Sequence, residues 1–287
     1  MSMPQSSQRP PAAAADVQEV SARLRAHDLD AWLATLLARP DDRPRLFALW
    51  AFAADVLNLP WQVSEPALGL IRLQWWIDAL NAPYPAPFAL GRVLHACLDE
   101  KARQALQPFV QGQARLFEGP LDMERAAAWT QTLKPLLACI ASAEGREETW
   151  LHEKMPKEVA RGEKDETRLD LLCRVWGHAQ LLKRAPFKRR SGLPLLAEEP
   201  SVRTALLDAL ARDLAHMRRL PRPPRECLAA LLPVGMSALW LKAARKAHTA
   251  APSTGASHTR TIYPVLHIAQ PRRQLWLLSH WLRGKIL

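Results

Sequence analysis

Residues 43–80 read RPRLFALWAFAADVLNLPWQVSEPALGLIRLQWWIDAL, and this stretch gives the clearest indication of the fold. Apolar residues at 46, 49, 50, 53, 56 and 57 recur with a period of about 3.6 and predict a helix that starts near Pro44. Pro60 lacks a backbone N–H, so we expect it to stop or kink that helix. A second helix is predicted to begin at Ser64-Glu65-Pro66 and to end before the proline cluster at 83–87.

The rest of the chain is also typical of helices, without a strand-like alternation of any length. A chain of 287 residues can bury one large core. We therefore predict one all-α domain over residues 16–287, after a disordered tail at 1–15. Asp16 is expected to cap the first helix. Further helices are predicted at 16–26, 28–39, 88–100, 102–117, 122–143, 145–158, 167–184, 200–219, 224–248 and 270–285, with a loop at 250–261.

Composition narrows the class of protein. Hydrophobic residues make up 48% of the chain, which excludes an intrinsically disordered protein. The formal net charge of +11 favours an anionic partner, such as nucleic acid, an acidic membrane surface or a phosphorylated ligand, although base composition alone can also produce it. The four cysteines are far apart in the sequence and lack metal-ligand spacing, which predicts reduced thiols and no zinc site.

The sequence gives a weaker indication of location. No apolar run reaches the roughly 20 residues that cross a bilayer, and the longest candidate, 228–241, contains Pro233 and Gly235. Residues 1–15 contain a single arginine, whereas a transit peptide is rich in arginine. We expect a bacterial cytoplasmic protein, peripheral at the inner membrane, with the mitochondrial matrix face as the alternative.

The two central helices resemble the first half of a squalene/phytoene synthase. In that family, "ALYAFCRxxDDxxDE" is followed by a helix that contains "IRLxWW". The first pattern is kept by Leu49, Ala51 and Phe52, and the second by Arg72, Leu73, Trp75, Trp76 and Asp78. The resemblance implies an all-α isoprenoid synthase fold, a single-domain helical bundle around a central cavity.

The same resemblance shows that the metal-binding acids are missing. The family's enzymes carry two DxxxD pairs on facing helices, which hold magnesium and a prenyl diphosphate. The first pair aligns with Leu57 and Trp61, and the second with Ala185 and Arg189, where Lys188 replaces a neighbouring acid and Pro186 is expected to disturb the helix. We therefore predict no catalytic residues, no metal and no cofactor, with magnesium expected only if the chain is an enzyme after all.

One branch of the superfamily is a closer match than the enzymes. It contains the mitochondrial complex I assembly factor of this ancestry and its alphaproteobacterial relatives. The matching residues are Ala51-Phe52, Val63-Ser64-Glu65, Gly69-Leu70, Arg72, Gln74, Trp76, Arg184-Ala185-Pro186, Arg190 and Leu193-Pro194, although Lys188 takes the place of the branch's usual histidine. This resemblance implies a non-enzymatic binding factor at a membrane surface, with a respiratory-complex assembly partner. The alternatives are a prenyl-diphosphate transferase of squalene/phytoene biosynthesis and a polyprenyl lipid binder.

A basic cluster gives the first group of candidate binding residues. It consists of five cations within eight residues, namely Lys183, Arg184, Lys188, Arg189 and Arg190. They could bind a diphosphate directly, face anionic lipid, or form a solvated basic turn. Nucleic acid is not expected as a partner, since only Phe187 interleaves with these cations.

The second candidate group would line the cavity and consists of Leu57, Trp61, Trp75 and Trp76, with core packing as the alternative for the two adjacent tryptophans. Arg72 and Asp78 are expected to have a structural ion-pairing role. The basic, amphipathic C-terminal helix could lie on a membrane interface. The more conservative expectation is that Leu275, Trp276 and Leu282 pack inward.

Overall fold

The computed structural model describes residues 11–142, 149–155, 166–249 and 265–287. Within these ranges the chain forms helices and turns, and β-pairing is limited to two isolated bridges, Leu121 with Leu196 and Lys154 with Thr167. The predicted all-α fold class is confirmed. Residues 1–10 of the predicted tail and the predicted loop at 250–261 lie outside the described residues.

The described helices pack around α3 and α11. In chain order they are α1 (Ala14–His27), α2 (Leu29–Thr35), α3 (Arg43–Gln62), α4 (Pro66–Asn81), α5 (Ala89–Cys97), α6 (Glu100–Ala105), α7 (Gln107–Gly112), α8 (Met123–Gln131), α9 (Lys134–Ala141), α10 (Thr149–His152), α11 (Arg168–Arg184), α12 (Pro200–Met217), α13 (Arg225–Gly235), α14 (Ser237–Thr249) and α15 (Gln270–Arg283). Short 3₁₀ helices occupy Pro40–Asp42 and Gln113–Phe117.

Helix α3 is the central element of the first half. Every residue from 46 to 57 is buried, because α1, α2, α4, α5 and α9 surround the helix. A helix that is apolar on all sides is stable only inside a core. Its Trp50 meets Trp176 of α11 edge to face, with ring centroids 5.3 Å apart.

Helix α11 is the central element of the second half. It starts with a capping box, in which the Thr167 side chain accepts from the Asp170 N–H and the Asp170 carboxylate accepts from the Thr167 N–H. It packs on α8, α9, α12 and α14. Its bounds agree closely with the predicted helix at 167–184.

Prolines account for most of the differences from the predicted helices. Pro60 does not stop α3, which continues for two more residues, because a proline in the last turn removes only one helical hydrogen bond. The helices predicted at 102–117 and 122–143 are each divided, with Pro108 and Pro135 in the first turn of α7 and α9. Proline is well tolerated there, since the N–H groups of a first turn have no helical acceptor.

The two ends of the chain also differ in detail. Helix α1 begins at Ala14, two residues earlier than predicted, and Asp16 lies in its first turn, where it pairs with Arg92 at 2.6 Å. Asp16 is therefore not the cap. In the helix predicted at 145–158, the described part is helical only over Thr149–His152.

The helix predicted at 224–248 divides into α13 and α14 at Met236. The expectation that no stretch is long enough to cross a bilayer is wrong on length and composition: among the described residues, the stretch 225–247 is long and apolar enough, because the helical segment extends past both ends of the apolar run at 228–241. In its most apolar window, 72% of the residues are buried inside the molecule. Burial of this extent is typical of core helices.

Candidate functional site

The first pair of aligned metal positions lies on the last two turns of α3. Leu57 is a core residue that is only 2% exposed. Trp61, one turn later on the same face, donates from its indole Nε1 to the Phe187 carbonyl oxygen at 3.1 Å. The Arg184 guanidinium lies over the Trp61 ring, 6.0 Å from its centroid. Both positions are therefore occupied by packing contacts.

The second pair of aligned positions does not share a helix. Helix α11 ends at Arg184, as the proline at 186 predicts, and Ala185 is its buried C-cap residue. Arg189 follows in a turn, so the two side chains cannot line one helix face at i and i+4. The buried Arg189 guanidinium donates to three main-chain carbonyls, those of Leu116, Leu193 and Pro194. Burial lowers the pKa of Arg189.

One comparison with known proteins finds a match in the first part of this structure. Residues 24–136 match the family model of squalene/phytoene synthase. The matched segment is less than half of the chain, but it contains all of α3 and α4 and ends before α11. No curated protein and no solved structure matches the chain. The resemblance to the complex I assembly branch remains a prediction.

The residues at the aligned positions do not fit the magnesium that the squalene/phytoene synthase resemblance implies. Magnesium binds through carboxylate and other oxygen ligands. The aligned residues supply no carboxylate: they are Leu57, Trp61, Ala185 and Arg189. Elsewhere in the described part of the chain, no group of three His, Cys, Asp or Glu side chains is arranged to hold a metal ion.

Between α3 and α11 lies a cation, Arg184, and not a pair of carboxylates. Its guanidinium donates to the Gln180 side-chain oxygen and to Asn58 Oδ1, the latter at 3.4 Å. Burial lowers the pKa of Arg184, and the charge of Asp28 opposes that change. The arginine connects α11 to the end of α3, because Trp61 and Asn58 both belong to that helix.

The predicted basic cluster divides into internal and external cations. Lys183 pairs with Asp30 at 3.4 Å and with Asp28 at 3.8 Å, and its ammonium lies 4.9 Å from the Trp240 ring centroid. Arg184 and Arg189 are engaged as described above. Only Lys188 and Arg190 have exposed side chains, so the cluster offers an external anion two cations and not five.

The predicted cavity residues lie in two separate places. Trp75 and Trp76 line a surface pocket of about 490 Å³ between α1, α3, α4 and Phe88. Leu57 and Trp61 do not line this pocket. They lie on the opposite face of α3, beside Trp50 and Arg184, so the structure does not bring the four residues together.

Arg72 and Asp78 do not pair with each other. Arg72 donates to Gln62 Oε1 at 3.3 Å, and Asp78 accepts from Gln74 Nε2 at 2.8 Å. The physical reason is the helical repeat, because side chains six positions apart point to different sides of α4, whereas Gln74 and Asp78 are four apart.

The structure contains a buried ionic network between α11 and α12 that the sequence analysis did not predict. Arg174 pairs with Glu166 and, at 3.3 Å, with Asp213, which is fully buried. His178 Nδ1 lies 3.5 Å from the other Asp213 oxygen. The available signal was the i, i+4 spacing of Arg174 and His178 within a mostly apolar helix.

The C-terminal helix α15 exposes a stripe of leucines. Leu275, Leu278 and Leu282, at i, i+3 and i+7, are 69%, 44% and 63% exposed. Leu277 is buried and Trp276 packs against the core, where the helix lies on α2 and α13. The expectation that Leu275 and Leu282 pack inward is therefore wrong.

The same segment is strongly basic. Residues 265–287 contain no acidic residue, and Arg272, Arg283 and Lys285 are exposed. Arg273 is the exception, because it pairs with Asp30 at 3.1 Å and connects α15 to α2. Helix α15 therefore has a docked inner face and an outer surface that combines leucines with cations.

Proposed function

We propose that this chain is a non-catalytic squalene/phytoene synthase-like protein that acts by binding at an anionic membrane surface. The observation that carries the membrane part is the outer surface of α15, where exposed leucines lie among the exposed cations Arg272, Arg283 and Lys285, and residues 265–287 contain no acid. A basic amphipathic helix of this kind binds in the interfacial plane of a bilayer.

The non-catalytic part rests on the aligned metal positions. Head-to-head prenyl transfer begins with departure of pyrophosphate, and magnesium would have to neutralise that charge. Leu57 and Ala185 are buried in the core, and Trp61 and Arg189 are held by main-chain carbonyls. Each position contributes to packing, and none supplies a ligand for the metal.

The magnitudes favour reversible surface binding. Burying a leucine side chain fully contributes about 1.5–3 kcal/mol, and each cation near an anionic leaflet contributes about 1 kcal/mol. Three leucines and three cations, partly offset by the entropy lost on association, are sufficient for a peripheral protein. Because Trp276 and Leu277 fix α15 to the core, the whole molecule would dock with the helix.

The resemblance to the complex I assembly branch supports a more specific proposal. A membrane-embedded respiratory-complex intermediate is the partner that this resemblance implies. We infer that the chain acts at the cytoplasmic face of a bacterial inner membrane, or at the matrix face of the mitochondrial inner membrane. Pull-down from solubilised membranes with the tagged full chain tests this part.

Vesicle co-sedimentation tests the membrane proposal directly. We expect the purified chain to bind vesicles that contain phosphatidylglycerol, to bind pure phosphatidylcholine vesicles weakly, and to be released by salt. A Leu275→Ser/Leu282→Ser variant should lose most of the binding. The control, Leu68→Ser/Leu70→Ser, removes two exposed leucines from α4, which are 46% and 47% exposed, and should bind as the parent does.

Two results would contradict the proposal. The first is no binding of the parent chain to anionic vesicles at low salt. The second is that the α4 variant loses binding and the α15 variant binds as the parent does. That result would assign the membrane contact to α4.

A further inference from the structure

The pocket beside α4 lies on the side of α3 that faces away from the aligned metal positions. Successive residues of an α-helix are rotated by about 100°. Asp55 and Leu59, which line the pocket, therefore share one face, and Leu57 and Trp61 lie roughly on the opposite face. The pocket is thus separate from the region to which the family resemblance assigns a prenyl diphosphate.

The apolar wall of this pocket consists of three aromatic rings. The Trp75 centroid lies 5.0 Å from that of Trp76 and 5.4 Å from that of Phe88. Trp75 remains 47% exposed, and the adjacent Ile71 is 63% exposed. Exposed aromatic and aliphatic surface next to a concave pocket is a common feature of sites for small apolar ligands.

The polar side of the pocket carries one uncompensated positive charge. Arg23 and Asp55 form a two-point ion pair, with distances of 2.9 Å and 2.7 Å, so their charges cancel. The Arg72 guanidinium hydrogen-bonds to the neutral Gln62 amide and has no ion pair with the described residues. An anion is therefore the charged group that Arg72 can bind, and its planar fork suits a carboxylate or a phosphate.

We propose that this pocket binds a single anionic amphiphile, with its phosphate or carboxylate on Arg72 and its hydrocarbon against Trp75, Trp76 and Phe88. A volume of about 490 Å³ lies within the range of small-molecule sites. The proposal does not depend on membrane docking by α15, because different residues carry it.

Isothermal titration with a matched series of ligands tests the headgroup and the chain separately. The probes are decyl phosphate and decyltrimethylammonium below their micellar concentrations, decanol below its solubility limit, and inorganic phosphate. We expect saturable one-to-one binding of decyl phosphate, with weaker binding of decanol and of inorganic phosphate, and none of the cation. Equal affinity for decanol or for inorganic phosphate would overturn the proposal, as would preferred binding of the cation.

Four variants locate the site. Arg72→Gln, at an exposed position that is safe for folding, should weaken decyl phosphate binding about 10-fold and leave decanol binding unchanged. Trp75→Ala should weaken both. Arg212→Gln, an exposed arginine on α12, and Trp61→Ala, on the opposite face of α3, should bind decyl phosphate as the parent does. Loss of binding in Trp61→Ala without loss in Arg72→Gln would place the ligand elsewhere and overturn the proposal.

Discussion

Arg189, which the resemblance aligns with a metal-binding acid, is a buried cation that connects two segments of the chain. Its guanidinium binds three carbonyls from two separate segments, the 3₁₀ helix around Leu116 and the turn that ends at Pro194. Arginine suits this task because its donors are fixed in one plane. The sequence showed a cation here but not its burial, since burial depends on a segment more than 70 positions away.

We predict that Arg189→Met destabilises the protein by about 2–3 kcal/mol, because buried carbonyls lose their donors. The free energy of unfolding in urea is the measurement. The neighbouring Lys188→Met is the control and should change that free energy by less than about 0.5 kcal/mol, since Lys188 is exposed. Equal effects of the two substitutions would show that Arg189 is not a structural residue.

Asp55 provides a pH-dependent prediction. Burial raises the pKa of its carboxyl, although Arg23 and His27 act in the opposite direction. The folded chain therefore holds this proton more tightly than the unfolded chain, and the contribution of Asp55 to the free energy of unfolding falls as pH rises above about 3.8. The stability of Asp55→Asn relative to the parent should accordingly be greater at pH 7 than at pH 4.

Urea unfolding at both pH values measures this difference. Arg23→Gln is the companion variant and should make the loss of stability with rising pH steeper, because the guanidinium stabilises the ionised carboxylate. If the free energy of unfolding of Asp55→Asn, relative to that of the parent, decreased as pH rises, it would contradict the assigned direction of the pKa shift.

Helices α11 and α12 contact each other through buried ionic groups as well as through apolar side chains. Asp213 lies between Arg174 and His178 with no exposed surface. We predict that Asp213→Asn costs about 3–5 kcal/mol, because it leaves Arg174 buried with less compensating charge. Asp208→Asn, at an exposed position on the same helix, should be nearly neutral. Similar losses for both variants in thermal and urea unfolding would contradict this assignment.

The contact of α4 with the 3₁₀ helix Gln113–Phe117 depends on Gly69. A Cβ atom added at Gly69 would lie 2.1 Å from the Phe117 ring. Glycine to alanine usually stabilises a helix by up to about 1 kcal/mol. Here we predict the reverse for Gly69→Ala, a loss of about 1–3 kcal/mol from overpacking. Denaturant unfolding measures the sign of the change in the free energy of unfolding. Gln74→Ala, at an exposed position on the same helix, is the control.

The helices were predictable where the sequence carries a local signal. The apolar period of α3 and the proline at the start of α4 correspond to observed features, and α11 has nearly the bounds predicted at 167–184. The predictions failed where Pro108 or Pro135 begins a new helix in the middle of an apolar pattern. The residues around a proline do not show whether it interrupts one helix or lies in the first turn of the next.

The site was less predictable because it depends on packing between distant elements. The sequence shows Trp75 and Trp76, but the pocket also needs Arg23 from α1 and Phe88 from the start of α5. Likewise, α15 is amphipathic in the sequence, and only its docking on α2 and α13 determines which leucines remain outside.

For the whole molecule, the features form one consistent account. The segment that matches squalene/phytoene synthase retains helices α3 and α4. The positions that the resemblance aligns with the family's metal-binding acids hold three packing residues, Leu57, Trp61 and Ala185, and one buried arginine, Arg189. The excess positive charge of +11 is consistent with an anionic partner, and α15 is an acid-free element with exposed cations and exposed leucines.

We propose that this helical scaffold does not ionise a prenyl diphosphate. The most direct test is to incubate the purified chain with labelled farnesyl and geranylgeranyl diphosphates, with and without magnesium, and to measure pyrophosphate release beside an active prenyltransferase. We expect no release above the protein-free rate, with or without the metal. Magnesium-dependent release that a chelator abolishes would show that other residues supply the missing acids, and that the chain is an enzyme.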